Sequence, residues 1–348
     1  MQKQIIGWDI GGAHVKAALL NGNGEVLRVI QEPCPLWKGM DHLDYALATI
    51  LRSLGSGPHL HVMTMTGELV DCFPGREHGV NAIIQTMQAK ICGEELLVFA
   101  GREGFLNVDG IRQAHYMAIA SANWLASAEL AAERCRTGLF VDIGSSTTDI
   151  LLIENHALQA LGYTDYQRLV SGELLYTGIV RTAVMAIAQR AEFNGQEMGL
   201  MAEYFATMAD VYRLTGDLNE AHDQAETADG AEKTPLASAR RLSRLTGYEF
   251  TEADWPMWLQ FARQLKQRQK HTISQACLKQ IERSVDATEL CLIGAGVGRF
   301  VVRELAGELG FPYRDFAEFI MAADDETVAG TADCAPAVAV AYLAGGFC

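Results

Sequence analysis

Val141-Asp142-Ile143-Gly144-Ser145-Ser146-Thr147-Thr148-Asp149-Ile150 is the stretch on which the reading of this chain turns. An apolar lead-in reaches an acid, a small hydroxyl-rich turn follows, and a second acid returns the chain to Leu151, Leu152 and Ile153. That order reads as strand, tight turn, strand. Gly144 lets the backbone come close to a ligand. Ser145, Ser146, Thr147 and Thr148 offer hydroxyls and main-chain N–H groups to phosphate oxygens. Asp142 and Asp149 can hold a hydrated divalent cation between the turn and that phosphate. The same residues also suit an ordinary hairpin, because Gly and Ser are common in turns.

A second stretch of the same form stands at the start of the chain: Asp9-Ile10-Gly11-Gly12-Ala13-His14-Val15-Lys16, with apolar residues on both sides. Asn21-Gly22-Asn23-Gly24 is a hairpin signal, and residues 26–30 make a third extended piece. The glycine pair therefore lies between two strands. It is not a P-loop, since G-x-x-x-x-G-K-[ST] is absent and no helix follows. Lys16 either aims its ammonium at a phosphate or is a solvated strand residue. The two stretches, D-I-G-G-A-H-V-K and D-I-G-S-S-T-T-D, are an internal repeat of plan. They suggest two α/β halves facing one ligand, joined near residues 134–138.

With 348 residues, the chain has length enough for one large domain or two ordinary ones. Its apolar content of 49% and charged content of 20% fit a soluble globular protein. A net charge of −15 argues against nucleic-acid binding and against docking to an anionic membrane. An acidic protein that binds a phosphorylated ligand then needs local N–H donors, a few Lys or Arg, or a metal ion. No apolar run is long enough for a membrane span, no signal-peptide core is seen, and the eight scattered cysteines lack a C-x-x-C pair. Reduced thiols in a cytoplasmic protein are expected.

Between the repeats, the spacing predicts helices over 41–54, 79–92 and 111–134 and strands over 60–65 and 96–101. Glu68 and Asp71 follow a Thr-Gly turn at a strand's carboxyl end, where ligand sites form in open sheets, though either could equally cap the next element. Beyond the second repeat, Asp165, Arg168, Glu173, Tyr176 and Arg181 crowd a short region ahead of an apolar helix over 184–190. The two arginines suit a carboxylate or diphosphate, or are surface charges at a helix start. Residues 213–235 are polar and acidic and read as a disordered insertion or a mobile lid. Helices are expected over 236–245, 251–283, 301–310 and 330–343, with strands at 289–293 and 313–316. Gly294, Gly296 and Gly298 form a glycine-rich turn between strand and helix, which fits a nucleobase, ribose or phosphate at a helix N-terminus.

Three elements thus fall in order: D-I-G-G-x-x-x-K, D-I-G-S-S-T-T-D and G-A-G-V-G. The set resembles the phosphate 1, phosphate 2 and adenosine motifs of the actin, sugar kinase and Hsp70 superfamily. The resemblance implies an α/β fold with two ribonuclease H-like lobes around a central cleft. The lobes would span 1–136 and 137–348, with a helical insertion at about 190–285 in the second. It also implies phosphate contacts from Gly11, Gly12, His14, Gly144, Ser145, Ser146, Thr147, Thr148, Gly294, Gly296 and Gly298. Asp9, Asp142 and Asp149 would hold Mg²⁺. His14 stands where the superfamily more often has Asn or Thr.

A narrower likeness rests on M-T-G-E-L-V-D-C-F (65–73), S-A-N-W (121–124), R-L-V-S-G-E-L-L-Y-T-G-I-V-R-T (168–182), V-Y-R-L-T-G-D-L (211–218) and T-A-D-G (227–230). These segments resemble the hydantoinase/oxoprolinase-related proteins linked to tetrahydromethanopterin C1 transfer. The activity implied is an ether-forming, diphosphate-releasing transferase of methanofuran biosynthesis. It would join an aminomethylfuran-methyl diphosphate to the phenol of a γ-glutamyltyramine-type substrate. Asp9, Lys16, Asp142, Glu68 and Asp71 would then be the catalytic set, with the phenol's base among Glu68, Asp71 and Asp142. Asp165 or Glu173 would meet the furan amine, and Arg168, Arg181 or Arg241 the glutamyl carboxylates, with Tyr176 beside them. The same motifs fit an ATP-dependent small-molecule kinase or a hydantoinase/oxoprolinase-like hydrolase, and less well a nucleotide switch. A homodimer is a further expectation.

Overall fold

Asp9 and Lys16 are paired across neighbouring antiparallel strands, as are Asp142 and Asp149 in the other half of the molecule. The computed structural model, which describes residues 3–55, 57–285 and 287–347, builds each half around such a hairpin. In the first half the strands are β1 (Gln4–Ile10), β2 (His14–Leu20), β3 (Val26–Pro33), β4 (His59–Met65), β5 (Glu95–Phe99) and β6 (Phe105–Asn107). They form one sheet in the order β3-β2-β1-β4-β5-β6, antiparallel through the first three and parallel from β1 to β4 to β5. Its helices are α1 (Met40–Leu54), α2 (Arg76–Lys90), α3 (Tyr116–Ile119) and α4 (Asn123–Arg134).

The second half repeats that plan. Its strands are β7 (Thr137–Ile143), β8 (Thr148–Glu154), β9 (Ala157–Leu158), β10 (Leu174–Leu175), β11 (Arg190–Phe193), β12 (Gln196–Gly199), β13 (Cys291–Ala295) and β14 (Tyr313–Asp315). The main sheet runs β10-β8-β7-β13-β14, again antiparallel up to β7 and parallel beyond it. Its helices are α5 (Asp165–Ser171), α6 (Val184–Ile187), α7 (Met208–Thr215), α8 (Pro235–Arg244), α9 (Trp255–Ile281), α10 (Arg299–Leu309), α11 (Asp325–Asp333) and α12 (Ala335–Gly345). The β11–β12 hairpin and α7–α9 are inserted between β10 and β13 and share one core with that sheet, running from Leu139 and Val141 to Trp258 and Phe261.

These are two ribonuclease H-like lobes, each a mixed sheet flanked by helices. Buried runs such as Ile5 to Trp8 and Leu139 to Val141 are apolar on both faces, as central strands covered on both sides require. α12 crosses back to the first lobe, packing on β1, β2 and β4 and against α4. Gly7 permits that approach, because a Cβ there would collide with the Ala337 carbonyl. Among the described residues no single helix is long and apolar enough to cross a membrane.

Several sequence expectations are corrected. The helix over 111–134 is interrupted at Ala120-Ser121-Ala122, where Ser121 has a left-handed φ of 54°. The apolar segment 184–190 is helical only as far as Ile187 and then enters β11, whose Ala191 and Phe193 point into the core while Arg190 and Glu192 are exposed. The closing helix is two helices, bent by 99° at Cys334, with Pro336 in the first turn of α12. Residues 213–235 are held in place by ion pairs. Arg213 binds Glu220 at 2.9 Å and Asp223 at 2.5 Å, and Arg241 binds Asp210 at 2.7 Å and Asp229 at 3.1 Å. Alternating acids and arginines far apart in sequence look like a solvated run until folding pairs them.

Candidate active site

The β1–β2 and β7–β8 turns face one cavity of about 800 Å³. Ala13 and His14 line it from the first turn and Ser146 from the second. Among the described residues no hydrogen bond takes up the N–H of Gly12, Ala13, Ser145, Ser146 or Thr147. Gly11 is less free, since its N–H donates to the His14 carbonyl at 2.9 Å. The Ser145 Oγ is buried without a partner, an arrangement that leaves a hydrogen bond for water or a ligand. Thr148 is fully buried, and its hydroxyl donates to the Thr177 carbonyl at 2.7 Å, so it braces the turn instead of facing a phosphate.

The second turn rests on the segment before Arg181, of which Gly178, Ile179 and Val180 are not among the expected site residues. The N–H groups of Ile179, Val180 and Arg181 donate to the carbonyls of Gly144 and Ser145 at 2.9–3.1 Å. A Cβ on Gly178 would fall 2.5 Å from the Ser145 carbonyl carbon and the Ser146 nitrogen, so only glycine fits. Gln269 of α9 then fixes this segment, donating to Thr177 Oγ1 at 2.7 Å and to the Gly178 carbonyl at 2.8 Å. Nothing in the helical spacing of α9 marks Gln269 out. Only its complete burial as a polar side chain does so.

Arg181 and Tyr176 line the cavity. Arg181 stacks over Trp37 of the first lobe, 5.1 Å from the ring centre, and among the described residues it has no ion-pair partner. Trp37, Tyr176 and Tyr204 give the cavity an aromatic wall. The segment 223–228 closes its side, with Gln224 bonded to Gln31 at 3.1 Å and Glu226 to Lys38 at 3.0 Å across the lobes.

Behind the turns sit three acids, Asp9 buried and Asp142 and Asp149 partly buried. Burial raises Asp9 to about 6, against the pull of Lys16 and a 3.5 Å contact from Asn123. Burial, with Asp149 beside it, raises Asp142 to about 7. Burial also raises Asp149, although Arg168 opposes that shift. For Lys16 burial works against the charge, but neighbouring Cys334 and the carboxylates of Asp9, Asp142 and Asp333 outweigh it and raise its pKa. The Lys16 ammonium donates to the Asp333 carbonyl at 2.7 Å. His14 is pushed down to about 3 by burial, Lys16 and Arg181, so it faces the cavity as a neutral ring.

Asp9 and Asp142 are hard oxygen donors raised chiefly by burial, and their chemistry would suit Mg²⁺. Asp149 fits less well, because Arg168 already holds its Oδ1 at 2.5 Å. The three acids do not bring their oxygens within 4.8 Å of one another, so direct three-carboxylate ligation is not preformed. Among the described residues, His59, His61 and Glu94 do converge that closely. There, however, Trp8 Nε1–H donates to His61 Nδ1 at 3.1 Å, which places the His61 proton on Nε2, 3.1 Å from Glu94. That is a satisfied hydrogen-bond chain, not an open ligand set.

Other expected contacts are placed differently. Glu173 is fully buried and accepts from the N–H groups of Leu161 and Gly162 at 2.7 and 3.1 Å and from the Ser171 hydroxyl, so it shapes a loop and cannot meet an amine. Arg168 is buried between Asp149 and the Trp124 ring and is not open to a substrate carboxylate. Arg241 is likewise buried and consumed by Asp210 and Asp229. Asp71 is exposed, with no hydrogen bond or ion pair among the described residues. Gly296 and Gly298 donate their N–H groups to the Ala332 and Ile143 carbonyls, both at 2.8 Å. Their role is close packing: a Cβ on Gly296 would strike Asp142, and one on Gly298 would lie 2.5 Å from Ile143 and Ile179. Gly294 is backed in the same way by Tyr313 at 2.8 Å.

Glu68 is brought inward. It is 1% exposed, accepts from the Ser121 hydroxyl at 2.8 Å, and is raised to about 7 by burial against the Ser121 bond. Asp165, from the other lobe, pairs with Arg76 at 2.6 Å and lies 3.4 Å from the same serine.

Two ribonuclease H-like lobes that each send a β-turn to one cavity define an actin-like, sugar-kinase-type fold. The chain belongs to the hydantoinase/oxoprolinase family, whose model matches residues 59–322. It is 32% identical over 246 residues to the (4-{4-[2-(gamma-L-glutamylamino)ethyl]phenoxymethyl}furan-2-yl)methanamine synthase of Methanocaldococcus jannaschii, covering 70% of this chain and 72% of that protein. It is also 32% identical, over 108 residues, to the synthase of the same name from Methanococcus vannielii, covering 31% of this chain and 48% of that one. Among solved structures, nucleotide-free acetone carboxylase shares the fold with a TM-score of 0.54 at 10% identity, over 88% of this chain and 67% of that one.

Proposed function

We propose that this protein is a synthase of methanofuran-type cofactor biosynthesis that joins an aminomethylfuran-methyl diphosphate to a phenol and releases diphosphate. The observation that carries this reading is the shared cavity. Ala13 and Ser146, whose N–H groups are unused, line it with the unpaired Arg181, and Trp37, Tyr176 and Tyr204 offer flat apolar faces for a ring. The kinship with two synthases whose printed product is a phenoxymethyl-furan amine supports the substrate class.

The carbon–oxygen bond to the furfuryl carbon breaks with cationic character, which the furan ring delocalises. The turns and Arg181 then stabilise charge growing on the departing diphosphate, as preorganised donors do. Mg²⁺ held through its water by Asp9 and Asp142 would supply further neutralisation. The Lys16 ammonium would add positive charge beside these acids. Burial of Gly296 and Gly298 N–H groups favours this reading over an ATP-dependent kinase or hydrolase, which would draw on that turn for its nucleotide.

The test is incubation with Mg²⁺, the furan diphosphate and tyramine or γ-glutamyltyramine in the absence of ATP. Ether and diphosphate in equal amounts are the expected result. An absolute need for ATP would overturn the proposal.

A further inference from the structure

Glu68 and Ser121 form a small device that the cavity does not account for. Ser121 is not glycine, yet its φ is 54°, a conformation of the kind that proteins hold in place at functional sites. The distortion stops the preceding helix and turns the hydroxyl onto Glu68 Oε1 at 2.8 Å. The other carboxylate oxygen, Oε2, is buried and has no hydrogen-bond partner. A buried acceptor without a donor is costly, and something outside the chain is expected to satisfy it.

Charged groups reach this carboxylate from both lobes. Arg76 comes from α2 of the first lobe and Asp165 from α5 of the second, and the two are joined at 2.6 Å. The aromatic residues next along the chain also meet: Trp124 of α4 and Tyr163 lie 6.2 Å apart between ring centres, with Arg102 over Tyr163 at 5.1 Å. A carboxylate with one oxygen anchored and the other unpaired is suited to take a proton from a bound hydroxyl.

We propose that Glu68 is the base that receives the phenol proton and that Ser121 is its positioning residue. This rests on the synthase reading above. The phenolic O–H bond breaks with its proton passing to Glu68 Oε2. The phenolate oxygen then bonds to the furfuryl carbon as the bond to diphosphate breaks, the electron pair leaving with diphosphate. Asp71 is too exposed for the task, and Asp142 stands opposite Asp149 on the β7–β8 hairpin, among the groups that would hold the cation. Burial also keeps Glu68 a stronger base than an exposed carboxylate.

The experiment is a series of ring-fluorinated tyramines, nearly equal in size but increasingly ionised at neutral pH, tested with the intact enzyme, Glu68→Gln and Ser121→Ala. With tyramine, Glu68→Gln is expected to lose about 100-fold or more in rate. With the fully ionised phenol, the gap should shrink to within about fivefold, since no proton remains to be taken. Ser121→Ala should show a smaller loss that shrinks along the same series, which a purely structural defect would not do. Cooperative melting of both variants verifies their folding. An equal loss across the series would overturn the assignment of Glu68 alone. Absence of ether from the unaltered enzyme with every phenol would overturn the reaction itself, and the base with it.

Discussion

Arg168 places its guanidinium 2.5 Å from Asp149 Oδ1 and 3.9 Å above the centre of the Trp124 ring. One cation from the second lobe thus neutralises the acid that follows the second turn and stacks on the helix that follows the Ser121 break. Asp149 faces Asp142 across the hairpin, so the pair also sets the charge that Asp142 experiences.

Replacing Arg168 with Met would keep much of the stacking area but leave Asp149 buried and uncompensated. A loss of about 3 kcal/mol in unfolding free energy is expected, the usual range for breaking one side of a buried pair. Urea denaturation measures it. A change under about 0.5 kcal/mol would show that the stacking alone carries Arg168.

Asp9 and Asp142 titrate near 6 and 7 in the folded chain, well above the 3.8 of an unfolded aspartate. Between those values the native state keeps protons that the unfolded chain has lost, so stability falls as pH rises through the window. Melting temperature without metal should therefore drop between about pH 4 and 7, and Asp142→Asn should flatten the slope. Mg²⁺ should restore stability chiefly at the upper end, where both carboxylates are charged. A slope unchanged in Asp142→Asn would remove Asp142 as its source.

His14, with a pKa near 3, should remain neutral throughout the working range. Its ring resonances in a proton–nitrogen spectrum should not move between about pH 5 and 8. A titration near the ordinary histidine value would show that the cavity is wetter and less positive than Lys16 and Arg181 make it.

Gly178→Ala would push the second turn out of place, because the new methyl meets the Ser145–Ser146 peptide at 2.5 Å. A rate loss on the order of 100-fold is expected from a displacement of about 1 Å, with the KM for the diphosphate substrate raised more than that for the phenol. Steady-state kinetics with each substrate varied in turn would separate the two. Equal effects on both would argue against a role confined to the diphosphate end.

Lys16→Ala and Asp142→Asn should each lower turnover more than about tenfold. Unchanged rates in both would place the chemistry elsewhere.

The fold was legible because its signals are local. A strand that ends in an acid, a turn of Gly and Ser, and a returning apolar strand state their own geometry within about ten residues, since side-chain alternation and turn chemistry act over that distance. Seeing it twice was enough to expect two lobes. The turns' free N–H groups, Lys16 beside Asp9, and Tyr176 and Arg181 on the cavity could be anticipated for the same reason. What composition and spacing could not show is which charges find each other. Arg168, Arg241 and Glu173 read as open to ligands, yet each is spent on partners brought by folding: Asp149, Asp210 and Asp229, and the Leu161–Gly162 amides. The reverse holds for Gln269, which looked ordinary and became a fully buried polar group behind the second turn. Backbone pattern is a short-range property and is written along the chain. Burial and charge pairing depend on three-dimensional distance, and in this protein the folding of each lobe assigned them.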